Sequence, residues 1–146
     1  MGRARRPGGG YSGSVARRRV GINFIDTADS YGPGVSEEVI AEALHPYPAG
    51  LVLATKGGFA RPGPKQWVED GRPEHLRAAC EASLRRLRVE QIDLYQLHRI
   101  DPKVPVEDQL GALMHFRAHG KIKHIGFQSA VIFIFFFSRK LMTSCY

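Results

Sequence analysis

The chain has 146 residues, enough for one domain with its own core, and 43% of them are apolar. Its net charge is +7, yet eight of the 21 basic residues lie in the two terminal segments, which leaves 13 against 14 acids in the body and no basic face suited to nucleic acid. No stretch approaches the roughly 20 apolar residues needed to cross a bilayer, and Cys80 and Cys145 show neither metal-ligand spacing nor a disulfide framework, which suits a reducing compartment.

Residues 1–20 are rich in Arg and Gly and contain no acid. They read as a disordered arm, the alternative being an organelle transit sequence, against which Pro7 and the glycines count. Gly8, Gly10 and Gly13 satisfy the spacing of a dinucleotide fingerprint. That motif needs a strand leading in and a helix opening after it, and no strand precedes these glycines, so the match is read as coincidental.

From Gly21 onward strands and helices alternate. Asn23 to Thr27 is a short strand, and Val35, Val39, Ile40, Ala43 and Leu44 then recur at helical spacing until His45-Pro46, with Ser36 read as a helix cap. Leu51 to Thr55 is the next buried strand, followed by a long Gly- and Pro-rich loop from Gly57 to Arg72. Pro73 opens a helix with Leu76, Cys80, Leu84 and Leu87 on one stripe, Glu74 in its first turn and Arg85, Arg86 and Arg88 in its last, which suits the helix dipole. Ile92 to Leu97 is a third strand. Val106 to His119 is a helix with Leu110, Leu113 and Met114 expected inward and Gly120 as its stop, and Ile122 to Phe127 is a fourth strand. Such alternation predicts the α/β class, with about four parallel βα units.

In a parallel βα array all strands end on one face, so residues just beyond strand ends meet in space. Asp26, Lys56 and His98 fall at three such ends, and Tyr31 lies in the loop after the first. A free tyrosine gives up its proton only near about pH 10. A neighbouring ammonium such as Lys56 stabilises the phenolate and makes the residue a usable general acid. Asp26 would hold Lys56 in place, and a neutral His98 could hydrogen-bond and orient a substrate oxygen. Trp67 is read either as a pocket wall or as loop packing, and Asp29 and Ser30 as turn formers.

The strings GINFIDTADSYGPGVSEEVIAEAL, LVLATKGG and IDLYQLHRID closely resemble the aldo-keto reductase superfamily. Details of GINFIDTADSYGPG and the loop with Trp67 look more like the bacterial and plant reductases of the pyridoxal reductase type than the mammalian aldose reductase branch. The resemblance implies a (β/α)₈ barrel that reduces an aldehyde or ketone with NADPH. It makes Asp26 the Lys-pairing carboxylate, Tyr31 the proton donor, Lys56 its modulator and His98 the carbonyl-orienting residue. Gln128-Ser129 stands where the family usually has a Ser-Asn pair that binds the nicotinamide amide.

A full barrel of this kind has eight βα units, so the expected fold is a partial (β/α)₈ TIM barrel. Its parts are a disordered arm at 1–20, the partial barrel at 21–129 and a non-family hydrophobic tail at 130–146, both termini being read as foreign to the parent fold. Edge strands near Ile25 and Ile122 would then be unpaired and prone to self-association, unless VIFIFFF adds a strand beside the last one. The resulting expectation is an NADP-dependent oxidoreductase acting on a small carbonyl substrate. The alternative is a catalytically inactive truncated fragment, or a reductase-like interaction subunit without a cofactor site. Cytoplasmic localisation is expected, with an organelle as the alternative.

Overall fold

The computed structural model describes residues 21–128 and the backbone of 133–135. The Arg- and Gly-rich arm with its glycine motif, Ser129 and most of the hydrophobic tail lie outside the described residues. Strands β1 (Phe24–Asp26), β2 (Val52–Gly57), β5 (Ile92–Leu97) and β6 (Ile122–Gln128) form a parallel sheet in chain order. Helices α1 (Val35–Leu44), α2 (Pro73–Leu87) and α3 (Val106–Ala118) make the crossovers. These four parallel strands joined by three helical crossovers are part of a (β/α)₈ barrel, as the alternation of apolar runs predicts.

The core lies between sheet and helices. Leu76, Cys80, Leu84 and Leu87 of α2 pack on Ile92, Tyr95 and Leu97 of β5, with Leu113 and Phe116 of α3 and Ile122 of β6 completing the cluster. The α2 stripe is the expected one, and Pro73 does stand in its first turn. Burying such side chains contributes about 1.5–3 kcal/mol each, which is what fixes the helices over the sheet.

Two helices turn a different face inward from the one expected. In α1, Glu37 and Ala41 are buried, whereas Val35 and Val39 are exposed. A buried acid on the inner face hides the true stripe from a hydrophobicity pattern. Ser36 lies inside α1 rather than capping it; the cap position is Gly34, and the Ser36 hydroxyl bonds Thr27 Oγ1 at 2.8 Å. Gly34 has φ 85°, a backbone region that favours glycine, and a Cβ there would push on the Arg86 side chain at 2.8 Å. In α3, Gln109, Ala112, Leu113 and Phe116 face inward while Met114 is exposed. Gln109 is paired with Asp101, accepting from its amide and donating to its carbonyl, which makes a buried polar residue tolerable.

The segment read as a long loop contains an antiparallel hairpin of β3 (Phe59–Ala60) and β4 (Val68–Glu69), with Phe59 opposite Glu69. At the far side, β7 (Phe133–Phe135) pairs antiparallel with Gly126–Gln128. The added-strand expectation for VIFIFFF therefore holds, and the last parallel strand is covered at its C-terminal end. At the opposite edge, among the described residues, β1 pairs only with β2, and its Phe24 is 44% exposed.

Candidate active site

The strand ends converge as expected. The register Asp26↔Ala54 and Lys56↔Gln96 brings Asp26, Lys56 and Gln96 to one rim of the sheet. Lys56 Nζ donates to Asp26 Oδ2 at 2.7 Å and to the Thr27 carbonyl at 2.9 Å. The lysine is only 1% exposed, while the Asp26 side chain is 40% exposed, so the ammonium is positioned from below and the carboxylate faces outward. Two acceptors on one ammonium compensate for its loss of water.

Gln96 adds a third partner. Its Nε2 donates to Asp26 Oδ1 at 3.1 Å. The neighbouring strand leaves room for this: a Cβ on Gly126 would stand 2.9 Å from Gln96 Cγ. Gln96 was not singled out by sequence, although its position two residues before His98 places it on the same face.

Tyr31 is carried back over the rim by a turn in which its amide donates to Ala28 and its carbonyl accepts from Ser36. Lys56 Nζ lies 5.6 Å from the centre of its ring. The His98 ring meets Tyr31 edge-on at 5.8 Å between centroids and Phe59 at 4.7 Å. Burial, then the charges of Lys56 and Arg99, push the His98 pKa down to about 4 against the opposing pull of Asp26. The imidazole is therefore neutral near pH 7 and able to act as a single hydrogen-bond donor.

Trp67 does line this rim. It packs edge-on against Tyr31, Phe59 and His98, and the Arg61 guanidinium lies 3.9 Å over its ring. Arg61 also donates to the carbonyls of Gln66 and Ser30, tying the β3–β4 hairpin to the Tyr31 turn. Phe59 and Arg61 escaped the sequence reading because their hairpin did; the signal available was the short distance in sequence from Lys56. Gln128 ends β6 beside the rim, where the register Leu97↔Phe127 sets it level with His98. Its Oε1 is buried without a hydrogen-bond partner. Among the described residues, no group of three His, Cys, Asp or Glu is placed to hold a metal ion, and no helix is long and apolar enough to cross a membrane.

An acid–lysine pair, a phenol and a neutral imidazole on the carboxyl rim of a parallel sheet are proton-transfer equipment. Comparison with known proteins agrees with this class. Residues 16–132 match the profile of the Aldo/keto reductase family. An uncharacterized oxidoreductase of Schizosaccharomyces pombe is 54% identical over 111 residues, covering 76% of this chain and 36% of its own length. A probable aldo-keto reductase of Glycine max is 43% identical over 111 residues, 75% of this chain and 32% of its own. Among solved structures, a glycerol dehydrogenase from Gluconobacter oxydans superposes with TM-score 0.73 at 41% identity, over 80% of this chain and 37% of that one. The holo form of an aldo-keto reductase from Bacillus halodurans gives 0.71 at 34% identity, over 81% and 42%. The chain belongs to the aldo-keto reductase family of oxidoreductases. It spans about a third of the length of the curated relatives it matches.

Proposed function

We propose that this chain carries the proton-transfer site of an NADPH-dependent carbonyl reductase, which converts an aldehyde or ketone to an alcohol with Tyr31 as proton donor. The observation that supports it best is the convergence of Tyr31, the Lys56–Asp26 pair at 2.7 Å and the neutral His98 on one rim. As the phenol releases its proton, negative charge develops on its oxygen, and the Lys56 ammonium stabilises that charge. Asp26 keeps Lys56 aimed at the rim, and Gln96 holds Asp26. His98 donates to the carbonyl oxygen and orients it. Phe59 and Trp67 supply aromatic walls, which favour a small carbonyl compound with an apolar flank.

The orphaned acceptor of Gln128 fits the amide of a nicotinamide, and we assign Gln128 with Ser129 to that contact in place of the family's Ser-Asn pair. When bound, the reduced nicotinamide supplies the hydride that, with the proton from Tyr31, completes the two-electron reduction. A cytoplasmic setting fits the buried free thiol of Cys80.

The test is NADPH oxidation followed by absorbance with a panel of aldehydes and ketones. Tyr31→Phe and Lys56→Met should each lose about 10²–10⁴-fold in turnover, the range for a positioned acid, with the far-UV circular dichroism unchanged. Turnover in Tyr31→Phe equal to that of the wild type would overthrow the assignment.

A further inference from the structure

The Ser30 side chain takes no part in the Asp26–Lys56–Gln96 network, yet Ser30 is 2% exposed and its Oγ lies 3.4 Å from His98 Nδ1. The turn that carries it is fixed from several sides. The Asp29 amide donates to the Lys56 carbonyl at 3.1 Å, the Gly34 amide to the Asp29 carbonyl at 2.7 Å, and Arg61 to the carbonyl of Ser30 itself. The His98 amide donates to the Gly57 carbonyl at 2.8 Å, so both partners of the Ser30–His98 contact sit on anchored backbone.

A neutral imidazole carries one proton, on Nδ1 or on Nε2. Nδ1 faces Ser30, which leaves Nε2 to meet a substrate oxygen. If Nδ1 holds the proton, it donates to Ser30 Oγ, and Nε2 presents only a lone pair that repels a carbonyl oxygen. If Ser30 donates, Nδ1 accepts and Nε2 holds the proton. The direction of one hydrogen bond thus decides whether His98 can serve the reduction.

We propose that Ser30 is a positioning residue whose buried hydroxyl donates to His98 Nδ1 and so holds the neutral imidazole in the tautomer with its proton on Nε2. Its importance for catalysis rests on the reductase reading above. The other side of the hydroxyl explains why it points this way. The Asp29 carboxyl lies beside it, with Oδ1 buried and without a partner. Burial first and the Glu37 charge second raise the Asp29 pKa to about 7, against Arg86 and the amide and hydroxyl of Ser30. A protonated Asp29 can donate to the Ser30 oxygen and competes only weakly for its proton, whereas an ionised one accepts strongly. The groups that face Asp29 are Glu37 of α1, Arg86 of α2, the neighbouring Ser30 and the phenol of Tyr95 in β5.

The test is ¹H–¹⁵N spectroscopy of the full chain labelled at its histidine rings, which reads which nitrogen of His98 is protonated. Between about pH 6 and 8 a ring titrating near 4 stays neutral, so changes report the tautomer alone. The wild type should show Nε2–H at the acid end, and Ser30→Ala should shift the population toward Nδ1–H. In turnover, Ser30→Ala should lose about 10- to 100-fold in kcat with a smaller change in KM, and Ser30→Thr should restore both readouts. In the wild type the Nδ1–H fraction should rise with pH as Asp29 ionises, and in Asp29→Asn it should not. An Nδ1–H ring in the wild type, an unchanged tautomer in Ser30→Ala, or an equal pH drift in Asp29→Asn would overturn the proposal. The spectra need neither cofactor nor substrate, so an Nε2–H ring in a chain that reduces no carbonyl would refute the reductase reading and not the hydrogen-bond assignment.

Discussion

The strands that end at the rim carry polar groups on both faces, and the two sets behave differently. On the inner face of the barrel, Asp26, Lys56 and Gln96 form a chain of hydrogen bonds that opens to solvent through the exposed carboxylate. On the helix side, Thr55 Oγ1 donates to Glu37 Oε1 at 2.6 Å and Arg86 Nε to Glu37 Oε2 at 2.6 Å, with Asp29 close by. Glu37 is fully buried there. The first set keeps one carboxylate, Asp26, at the surface above a buried ammonium. The second seals the Glu37 carboxylate inside, where it ties α1 to α2 and β2, and Arg86 alone of its partners reaches toward solvent. Lys56 is as buried as Glu37, so the sets differ in their carboxylate: Asp26 opens its network to solvent, whereas Glu37 does not.

Breaking the rim set should cost activity without costing the fold, and the largest effect expected is the loss in Tyr31→Phe already given. Breaking the sealed set should do the reverse. Glu37→Ala removes the buried partner of Arg86 and Thr55 and should destabilise the chain by about 1–3 kcal/mol, seen as a lower midpoint in urea unfolding with an unchanged slope. An unchanged midpoint would mean that Arg86 finds water or another partner at no cost.

Asp29 sharpens the contrast through pH. Its folded pKa of about 7 lies above the ordinary carboxylate value of 3.8, so the native state holds the proton more tightly than the unfolded chain. Stability should therefore fall as pH rises from about 4 to about 7 and level off above that, by at most on the order of 4 kcal/mol from this group. Asp29→Asn should flatten that slope in unfolding titrations, and a slope identical to the wild type would place the titration elsewhere. The smallest effect belongs to Met114, which is 65% exposed. Met114→Lys should change stability by no more than about 0.5 kcal/mol, whereas Leu113→Ala, at the buried neighbour, should cost about 2–5 kcal/mol.

How much of this was legible in the sequence follows from the same contrast. The four parallel strands and the α2 stripe were readable because Leu76, Cys80, Leu84 and Leu87 repeat at helical spacing without interruption. Asp26, Lys56 and His98 were readable because each stands just past an apolar run. The sealed set was not readable. Glu37 sits on the inner face of α1, so a pattern that equates charge with solvent rotates the helix, and its partners Thr55 and Arg86, 18 and 49 residues away, make its burial tolerable. In α3, Gln109 does the same through its bonds to Asp101. The β3–β4 hairpin was missed because its strands are two residues each, too short to show alternation, and Phe59 and Arg61 were lost with it. Ser30 suits the turn it occupies by residue type, and its facing of His98 depends on two chain segments 68 residues apart.

The central claim is that the rim is a working reductase site. Trp67 is the single tryptophan of the chain and packs against both Tyr31 and His98, so its fluorescence reports on that rim. The most direct measurement is the quenching of that emission by NADPH, followed by a single turnover with an aldehyde, in the wild type and in Tyr31→Phe. The account predicts saturable quenching in both proteins and a turnover that is lost only in the variant. Absence of quenching up to millimolar NADPH, or a turnover that survives the loss of the phenol, would contradict it.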